Sequence, residues 1–325
     1  MFTTPTVVGD GLFVGSCSGV IYTFDRESGA VRWRYDTSQD AGPAQFHGDP
    51  AVAGDVVFTG SDGAEPSHFY AFRASTGDLL WKSELDVIES DVLHAAGLLV
   101  GRSFSGDLVA LDARTGERRW RVRAEESRCG RRPHAPAVHG DVVVTPLGDR
   151  TITGVGLRDG AVRWRREVGC ASSAVTVWRD AAYVGLGGAR GKVLRLEPDT
   201  GELLAELSLG ELQVHDSLVP VGDVLVAVVG EAVVAGLEPS LASIRWQHRS
   251  EGGVRVSSPR PLAYGRLALV GDSRGRLLAL RSEDGSVAWS ELVEGTVRGL
   301  GAHGDVVYVG TLGGRVYAYR PATPP

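Results

Sequence analysis

Histidine and carboxylate residues recur just before a repeated turn of the Gly-Asp type. His47, His215 and Glu89 lie seven residues before such a turn, and Asp49 and Asp91 lie five residues before one. Imidazole titrates near neutral pH and exchanges protons readily, and a neighbouring carboxylate can orient it or act as a base itself. We therefore interpret these five residues as candidate catalytic acids and bases.

A second set of residues at about the same level of the repeat carries charges suited to holding an anion. Arginine binds carboxylates through paired hydrogen bonds and can stabilise a developing oxyanion. The expected substrate-binding residues are His134, Arg132, Asp216, Arg255, Arg260 and Arg298. Together the two sets predict a pocket for a small polar or anionic molecule, with isomerisation, elimination, cyclisation or hydrolysis as its chemistry.

Two other interpretations of the same residues stay open. The polar side chains can pair with one another in a water-filled channel and have no ligand. The histidines and carboxylates can also supply ligands to a divalent metal such as zinc, iron or manganese. No short HxH or HExxH spacing marks such a site, so we assign no metal ligands.

The three cysteines do not form a recognisable motif. Cys17, Cys129 and Cys170 are an odd number at long spacing, with no CxxC pair. Reduced thiols are therefore expected, with a Cys129–Cys170 bridge as the alternative.

An internal repeat positions all these residues. Its turns recur every 39–45 residues, at Gly9-Asp10, Gly54-Asp55, Ala96-Gly97, Gly140-Asp141, Arg179-Asp180, Gly222-Asp223, Tyr264-Gly265 and Gly304-Asp305. Each turn joins runs of alternating apolar residues, and most units end in a tryptophan such as Trp33 or Trp81. Four short strands in about 40 residues are typical of a propeller blade, in which a large ring can fill the wedge between neighbours.

The repeat predicts an all-β, eight-bladed β-propeller with four-stranded antiparallel blades, forming a single domain over residues 1–325. The predicted units lie near 1–45, 46–87, 88–130, 131–169, 170–212, 213–253, 254–295 and 296–325. The fifth unit has Ala205 where tryptophan is expected, and the eighth is too short for an outer strand. The last blade is therefore predicted to have three strands. The predicted pocket lies at the mouth that holds the connections between blades.

The element from Ala110 to Trp120, with its Ala-Leu-Asp-x-x-Thr-Gly-x-x-x-Trp pattern, resembles the pyrroloquinoline-quinone-like (PQQ-like) β-propeller repeat. Such propellers serve as quinoprotein dehydrogenases, as outer-membrane-assembly scaffolds of the BamB type and as sensor modules. The quinoprotein branch implies a longer chain, a disulfide between adjacent cysteines and a calcium site. No two cysteines are adjacent here, so we expect no PQQ and no other organic cofactor. The scaffold branch implies a lipoprotein, and this chain has no lipobox.

Composition limits the partners and the location. The net charge of −6 and the absence of a block of like charges argue against nucleic acid as a partner. No apolar run approaches the length of a membrane span, and no signal sequence precedes the first turn, so a cytoplasmic protein is expected. The main hypothesis is a small-molecule-binding propeller with acid–base chemistry. The alternative is a non-catalytic scaffold or sensor for protein–protein interaction.

Overall fold

The described part of the chain is almost entirely β-structure. The computed structural model describes residues 3–40, 45–61, 67–85, 91–103, 105–125, 129, 134–148, 150–188, 190–258 and 260–321. Two short 3-10 segments, Thr37–Gln39 and Glu251–Gly253, are the helical elements of this part. None of the helical structure in these ranges is long and apolar enough to span a membrane.

The strands follow the repeat, and inner strands such as Gly11–Gly15 and Val224–Val229 are buried along their whole length, on both faces of the sheet. The first three blades contain β1 (Thr6–Val8), β2 (Gly11–Gly15), β3 (Val20–Asp25), β4 (Val31–Asp36), β5 (Ala51–Ala53), β6 (Val56–Gly60), β7 (Ser67–Arg73), β8 (Leu79–Leu85), β9 (Leu93–Ala95), β10 (Leu98–Arg102), β11 (Leu108–Asp112) and β12 (Arg118–Val122). The next two contain β13 (Ala137–His139), β14 (Val142–Pro146), β15 (Thr151–Gly156), β16 (Val162–Glu167), β17 (Thr176–Trp178), β18 (Ala181–Leu186), β19 (Lys192–Leu196) and β20 (Leu203–Ser208). The last three contain β21 (Val214–Val221), β22 (Val224–Val229), β23 (Val233–Leu237), β24 (Ile244–Arg249), β25 (Leu262–Tyr264), β26 (Leu267–Gly271), β27 (Arg276–Arg281), β28 (Val287–Leu292), β29 (Val297–His303), β30 (Val306–Thr311) and β31 (Val316–Tyr319).

Within each sheet the strands pair antiparallel with their neighbours in the chain. Among the described residues, seven sheets have four strands and the last, β29-β30-β31, has three. We call the connection of the first two strands of a blade its A–B turn and that of the last two its C–D turn. The fold is therefore an eight-bladed β-propeller with a three-stranded final blade, which confirms the fold predicted from the repeat.

The chain divides into two compact units. The first contains β1 to β12 with β30 and β31, and the second contains β13 to β28. The prediction of a single domain over residues 1–325, with its unit boundaries, stays a prediction.

The core within each unit lies between neighbouring sheets. In the first unit, Phe13 and Ile21 of one blade pack with Tyr70 and Phe72 of the next, all at most 1% exposed. In the second, Tyr183 and further apolar residues of the fifth blade pack against the sixth. Burial of these rings and branched side chains provides the main stabilisation of the blade-to-blade contacts.

The tryptophans of the outer strands connect one blade to the next. The Trp33 indole nitrogen donates to the carbonyl of Ala74 at 2.8 Å, and a Cβ atom built on Gly77 would lie 2.6 Å from its ring. Gly77 has a φ of +81°, so this C–D turn needs glycine for its backbone and for the ring. We call the turn glycine and the carbonyl three residues before it a tryptophan socket. The other examples within the units are Trp81 with Gly116 and Ala113, Trp164 with Gly201 and Pro198, and Trp246 with Gly285 and Ser282.

At the fifth blade the sizes are exchanged, with a small residue on the outer strand and a large residue in the C–D turn of the next blade. Ala205 takes the place of tryptophan, and the C–D turn of the next blade has no glycine but contains Leu241, with a φ of +60°, five residues before Trp246. Leu241 is 3% exposed and belongs to the cluster against which Ala205 packs. The leucine therefore fills the volume that the missing indole leaves.

Candidate functional site

Asp49 and Asp91 lie close together in the first unit, and both bind backbone groups of the preceding blade. Asp49 accepts hydrogen bonds from the backbone nitrogen of Thr4 at 2.7 Å and from its hydroxyl at 2.9 Å. Asp91 accepts one from the backbone nitrogen of Asp49 at 2.9 Å. Each of the three residues lies five positions before the A–B turn of its blade. Equivalent positions of three consecutive blades are thus linked, and both carboxylates stabilise the packing of the blades.

A second group of predicted residues meets in the second unit. Asp216 lies at an irregularity of β21, between His215 and Leu218, with a φ of +65°. Its carboxylate lies 3.6 Å from the Arg260 guanidinium and accepts from the Ser217 hydroxyl at 3.2 Å. Its backbone carbonyl accepts from the nitrogen of Ala174. The strand is therefore bent to present a partly exposed ion pair, a geometry suited to polar contacts.

The other predicted residues are placed individually. His47 and His134 are half-buried and precede β5 and β13, and His215 lies in β21 opposite Val228. Arg298 donates to the carbonyl of Ser257 at 3.3 Å, and Arg255 is exposed. Glu89 and Arg132 lie outside the described residues.

The structure thus brings together two pairs, Asp49 with Asp91 and Asp216 with Arg260. His47, Asp49, Asp91 and His134 belong to the first unit, whereas His215, Asp216, Arg255, Arg260 and Arg298 belong to the second. A pocket that combines all these residues stays a prediction. Among the described residues, no group of three or more His, Cys, Asp or Glu side chains is placed to hold a metal ion.

A polar cluster around Asp40 was not predicted. Its carboxylate accepts from the hydroxyls of Tyr35 at 2.9 Å and Tyr70 at 3.3 Å, and from the Lys82 ammonium at 2.5 Å. Burial alone would raise the pKa of Asp40, but the hydrogen bonds from Lys82 and Tyr35 outweigh it and lower the pKa. Burial and the hydrogen bond to Asp40 raise the pKa of Tyr35 to about 12. A signal existed in the sequence, because Lys82 is one of only two lysines.

A second buried charge cluster lies in the third blade. Arg102 is 7% exposed and donates to the carbonyl of Gly106 at 3.0 Å. Burial lowers the pKa of Arg102 to about 10, with Asp107 acting in the opposite direction. Asp107, 5% exposed, accepts from Arg121 at 2.6 Å and from the backbone nitrogen of Ala124 at 2.7 Å. These charges hold the strand ends of one blade together.

The cysteines differ from the expectation of reduced thiols. Cys129 and Cys170, which lie 41 positions apart in the chain, form a disulfide, and Cys17 is not part of it. This pairing is the alternative stated from the sequence, and it joins connections of consecutive blades. It is also not a disulfide between adjacent cysteines, the feature that the quinoprotein branch implies. The residues present therefore do not fit that PQQ-binding arrangement, and the expectation of no cofactor stays a prediction.

Two relatives and one solved structure that match nearly the whole of this chain carry the same name. The outer membrane protein assembly factor BamB of Burkholderia pseudomallei (strain K96243) is 24% identical over 98% of this chain and 84% of that protein. The one of Yersinia pestis is 21% identical over 97% of this chain and 83% of that protein. The crystal structure of BamB from Moraxella catarrhalis superposes with a TM-score of 0.81 at 18% identity, covering 98% of this chain and 96% of that one.

The expectation of a cytoplasmic location is wrong. The relatives are named for the assembly of outer membrane proteins, which points away from the cytoplasm. The Cys129–Cys170 disulfide agrees with this correction, because disulfides persist mainly in oxidising compartments.

The same description applies at the level of the family. The family model described as "Outer membrane protein assembly factor BamB" matches residues 3–65, 17–184 and 172–299. The matched residues extend over most of the repeats, as the resemblance to PQQ-like propellers implied. The chain therefore belongs to the family of the outer membrane protein assembly factor BamB.

Proposed function

We propose that this chain is a non-catalytic scaffold for protein–protein interaction that serves the assembly of outer membrane proteins. The observation that carries the proposal is the likeness to assembly factors over 97–98% of the chain, together with a shared fold. A scaffold needs rigid sheets and exposed loops, and the propeller provides both.

The geometry of the predicted catalytic carboxylates supports this proposal over the small-molecule hypothesis. Asp49 and Asp91 accept hydrogen bonds from backbone nitrogens of neighbouring blades. A general base needs an oxygen within hydrogen-bond reach of the substrate proton, whereas these oxygens are engaged by donors of the fold. These side chains are therefore suited to holding the fold.

Deletion of the gene in its native host tests the proposed function. We expect the amount of folded outer membrane proteins to fall, and expression of the wild-type chain to restore it. The measurement is heat-modifiable migration of outer membrane proteins on gels. An unchanged amount in the deletion strain would contradict the proposal.

A variant of the candidate histidines distinguishes the scaffold from an acid–base enzyme. The double variant His47→Ala, His215→Ala removes both imidazoles that the enzyme hypothesis requires. The scaffold proposal expects this variant to restore outer membrane proteins as fully as the wild type does, provided that it accumulates to the same level. Failure to restore them at equal abundance and equal melting temperature would favour the site hypothesis.

A further inference from the structure

The turn that joins the second and third strands of the seventh blade lies between two connections of the chain. We call residues 272–275, which join β26 to β27, the 272–275 turn. On one side, the backbone nitrogen of Ser273 donates to the carbonyl of Arg255 at 2.9 Å, in the connection from the sixth blade. On the other side, the backbone nitrogen of Val293 donates to the carbonyl of Gly275 at 2.9 Å. Three segments of the second unit are thus held side by side and form one surface.

Two arginines of this surface are exposed and free. Arg255 is exposed between the buried Val254 and Val256, and Arg274 is exposed within the 272–275 turn. Among the described residues, neither guanidinium takes part in an ion pair or a hydrogen bond. Arginine presents a planar set of N–H donors that matches a carboxylate, so both side chains are available to an anion.

Two carboxylates beside these arginines have other partners. Glu251 pairs with Arg276 at 3.1 Å. Asp272 is 3% exposed, and its Oδ1 accepts from the backbone nitrogens of Arg274 at 2.8 Å and Arg276 at 2.9 Å. Neither carboxylate therefore occupies the guanidinium donors of Arg255 or Arg274.

Two glycines precede Arg255 and have no side chain that could cover it. Gly252 and Gly253 have φ values of +63° and +67°, and both are exposed. A Cβ atom built on either would meet no atom within 4 Å. The segment before Arg255 therefore leaves open space beside this surface.

An exposed leucine borders the same turn. Leu292 is 76% exposed, more than any other large apolar side chain of the described residues. It pairs with Arg276, the first residue of β27, across the last two strands of the blade. Arginine is enriched in protein interfaces, and an apolar side chain beside it adds area that leaves water on binding. We call Arg255, Arg274 and Leu292 the arginine surface.

We propose that the arginine surface binds an acidic segment of a partner protein, whose carboxylates pair with Arg255 and Arg274 and whose apolar side chain covers Leu292. This inference rests on the proposed scaffold function and names the chemistry of the segment bound. Charge complementarity carries it, because two free guanidiniums beside an exposed leucine match a segment that combines carboxylates with an apolar residue.

The charges on the adjoining segments favour a protein over an anionic membrane. The carbonyl of Glu231 accepts from the backbone nitrogen of Val256 at 2.8 Å, and two further glutamates flank Leu292 in the chain. The exposed glutamates are Glu231, Glu251, Glu291 and Glu294. A bilayer presents its negative charge continuously and would be repelled by them, whereas a protein segment can place its carboxylates opposite the arginines alone.

A peptide with two spaced glutamates is the probe. The sequence Gly-Glu-Ser-Glu-Leu-Ser-Gly places both carboxylates on one side of an extended chain, about 7 Å apart. Its ends are blocked, an uncharged fluorophore reports binding to the purified chain by anisotropy, and the matched control has glutamine in place of both glutamates. We expect the glutamate peptide to bind at least ten times more tightly than the control at low ionic strength, and more weakly as salt is added. Equal affinities, or no binding of either peptide, would overturn the proposal.

Variants of the protein locate the binding. The double variant Arg255→Gln, Arg274→Gln removes both charges of the arginine surface. Its matched control is Arg34→Gln, Arg118→Gln, which lowers the net charge equally at exposed positions of β4 and β12. We expect the first variant to weaken the glutamate peptide at least tenfold relative to the second, at similar melting temperatures, and Leu292→Ser to weaken it at least threefold. Equal affinity of the two double variants, or an affinity unchanged by Leu292→Ser, would overturn the proposal.

Two measurements without peptide test for other occupants. Co-sedimentation with phosphatidylglycerol vesicles tests for a membrane, and analytical ultracentrifugation tests for a second copy of this chain. Vesicle binding or a dimer that Arg255→Gln, Arg274→Gln abolishes would assign the arginine surface to that occupant and overturn the proposal. A monomer that binds no vesicles through these arginines and has the expected peptide affinities supports the acidic segment. Because all these measurements use purified protein, their failure leaves the result of the gene deletion untouched.

Discussion

Asp49 stabilises the contact of the first two blades through both of its carboxylate oxygens. They accept from the backbone nitrogen and hydroxyl of Thr4. Hydrogen bonds to a charged group contribute about 1.5–3 kcal/mol, and a backbone nitrogen without a partner adds a desolvation cost. The residue therefore serves the fold, although its type and position are those of a catalytic base.

Asp49→Ala is expected to lower the free energy of unfolding by about 2–3 kcal/mol, because Thr4 loses both acceptors. The matched control is Asp10→Ala, since the Asp10 side chain is 73% exposed. A surface change of this kind costs no more than about 0.5 kcal/mol. Urea unfolding followed by tryptophan fluorescence measures both variants. Equal losses for Asp49→Ala and Asp10→Ala would contradict the assigned role.

His139 connects two turns of the second unit and makes their contact dependent on pH. Its Nδ1 lies 3.3 Å from Asp199 and its Nε2 3.6 Å from Asp180. The hydrogen bond with Asp199 is the main reason that the pKa of His139 is raised above 6.5. The protonated form is thus favoured by folding, so its contribution to stability is complete below about pH 6.5 and is lost as the pH rises through the folded pKa.

Asp199→Asn is expected to lower the pKa of His139 towards 6.5, because the main source of the shift is removed. Asp180→Asn, at the longer distance, is expected to lower it less. Titration of the imidazole Cε1 proton by NMR gives the midpoint in each variant. An unchanged midpoint in Asp199→Asn would show that the carboxylate does not act on this histidine.

At the scale of the element, the same contact recurs between the outer strand of one blade and the C–D turn of the next blade. A β-bulge beside the tryptophan position accompanies it, as at Thr23/Phe24 in the first blade and Ala71/Phe72 in the second. A bulge twists the strand and redirects its side chains. The pair of tryptophan and glycine and the pair of Ala205 and Leu241 each fill the space between two blades. Close packing therefore constrains the combined volume of the two side chains.

The size exchange predicts coupling between Ala205 and Leu241. Ala205→Trp alone overpacks the site, at a cost of about 1–3 kcal/mol. Leu241→Gly alone opens a cavity, at a cost of about 2–4 kcal/mol after relief of the positive φ. The double variant pairs a large residue on the outer strand with a glycine in the next turn, as the other blades do, and we expect it to be more stable than the sum of the single changes by at least about 1 kcal/mol. Urea unfolding of the four proteins measures this coupling, and additive effects would refute it.

The strands and turns were predictable because each has a local sequence pattern. The turn at Gly54-Asp55, the alternation from Leu108 to Leu111 and the tryptophan at Trp81 depend on neighbours in the chain. The partner of Asp49 is Thr4, 45 residues away, and Cys129 pairs with Cys170 across 41 residues. Contacts of this range depend on how two blades meet, and the repeat alone does not specify that. Asp49 lies two residues before β5, and its hydrogen bonds with Thr4 were not predicted.

At the scale of the whole molecule, the disulfide and the family both concern the environment in which the chain works. A stable disulfide suits an oxidising compartment, and the relatives are named for outer membrane protein assembly. The net charge of −6 argues against a generic polyanion as partner, but it does not indicate a location.

The double variant Cys129→Ser, Cys170→Ser is expected to lower the free energy of unfolding by about 4 kcal/mol, because the bridge closes a loop of 41 residues in the unfolded chain. Cys17→Ser, outside the bridge, is the control and is expected to change stability less. Chemical unfolding with and without dithiothreitol measures the effect, and the reduced wild type is expected to match the double variant. In the native host, the bridge is expected in the envelope fraction on non-reducing gels. A wild-type midpoint that does not respond to reductant would mean that the disulfide contributes nothing to stability, and a fully reduced chain in a cytoplasmic fraction would contradict a location outside the cytoplasm.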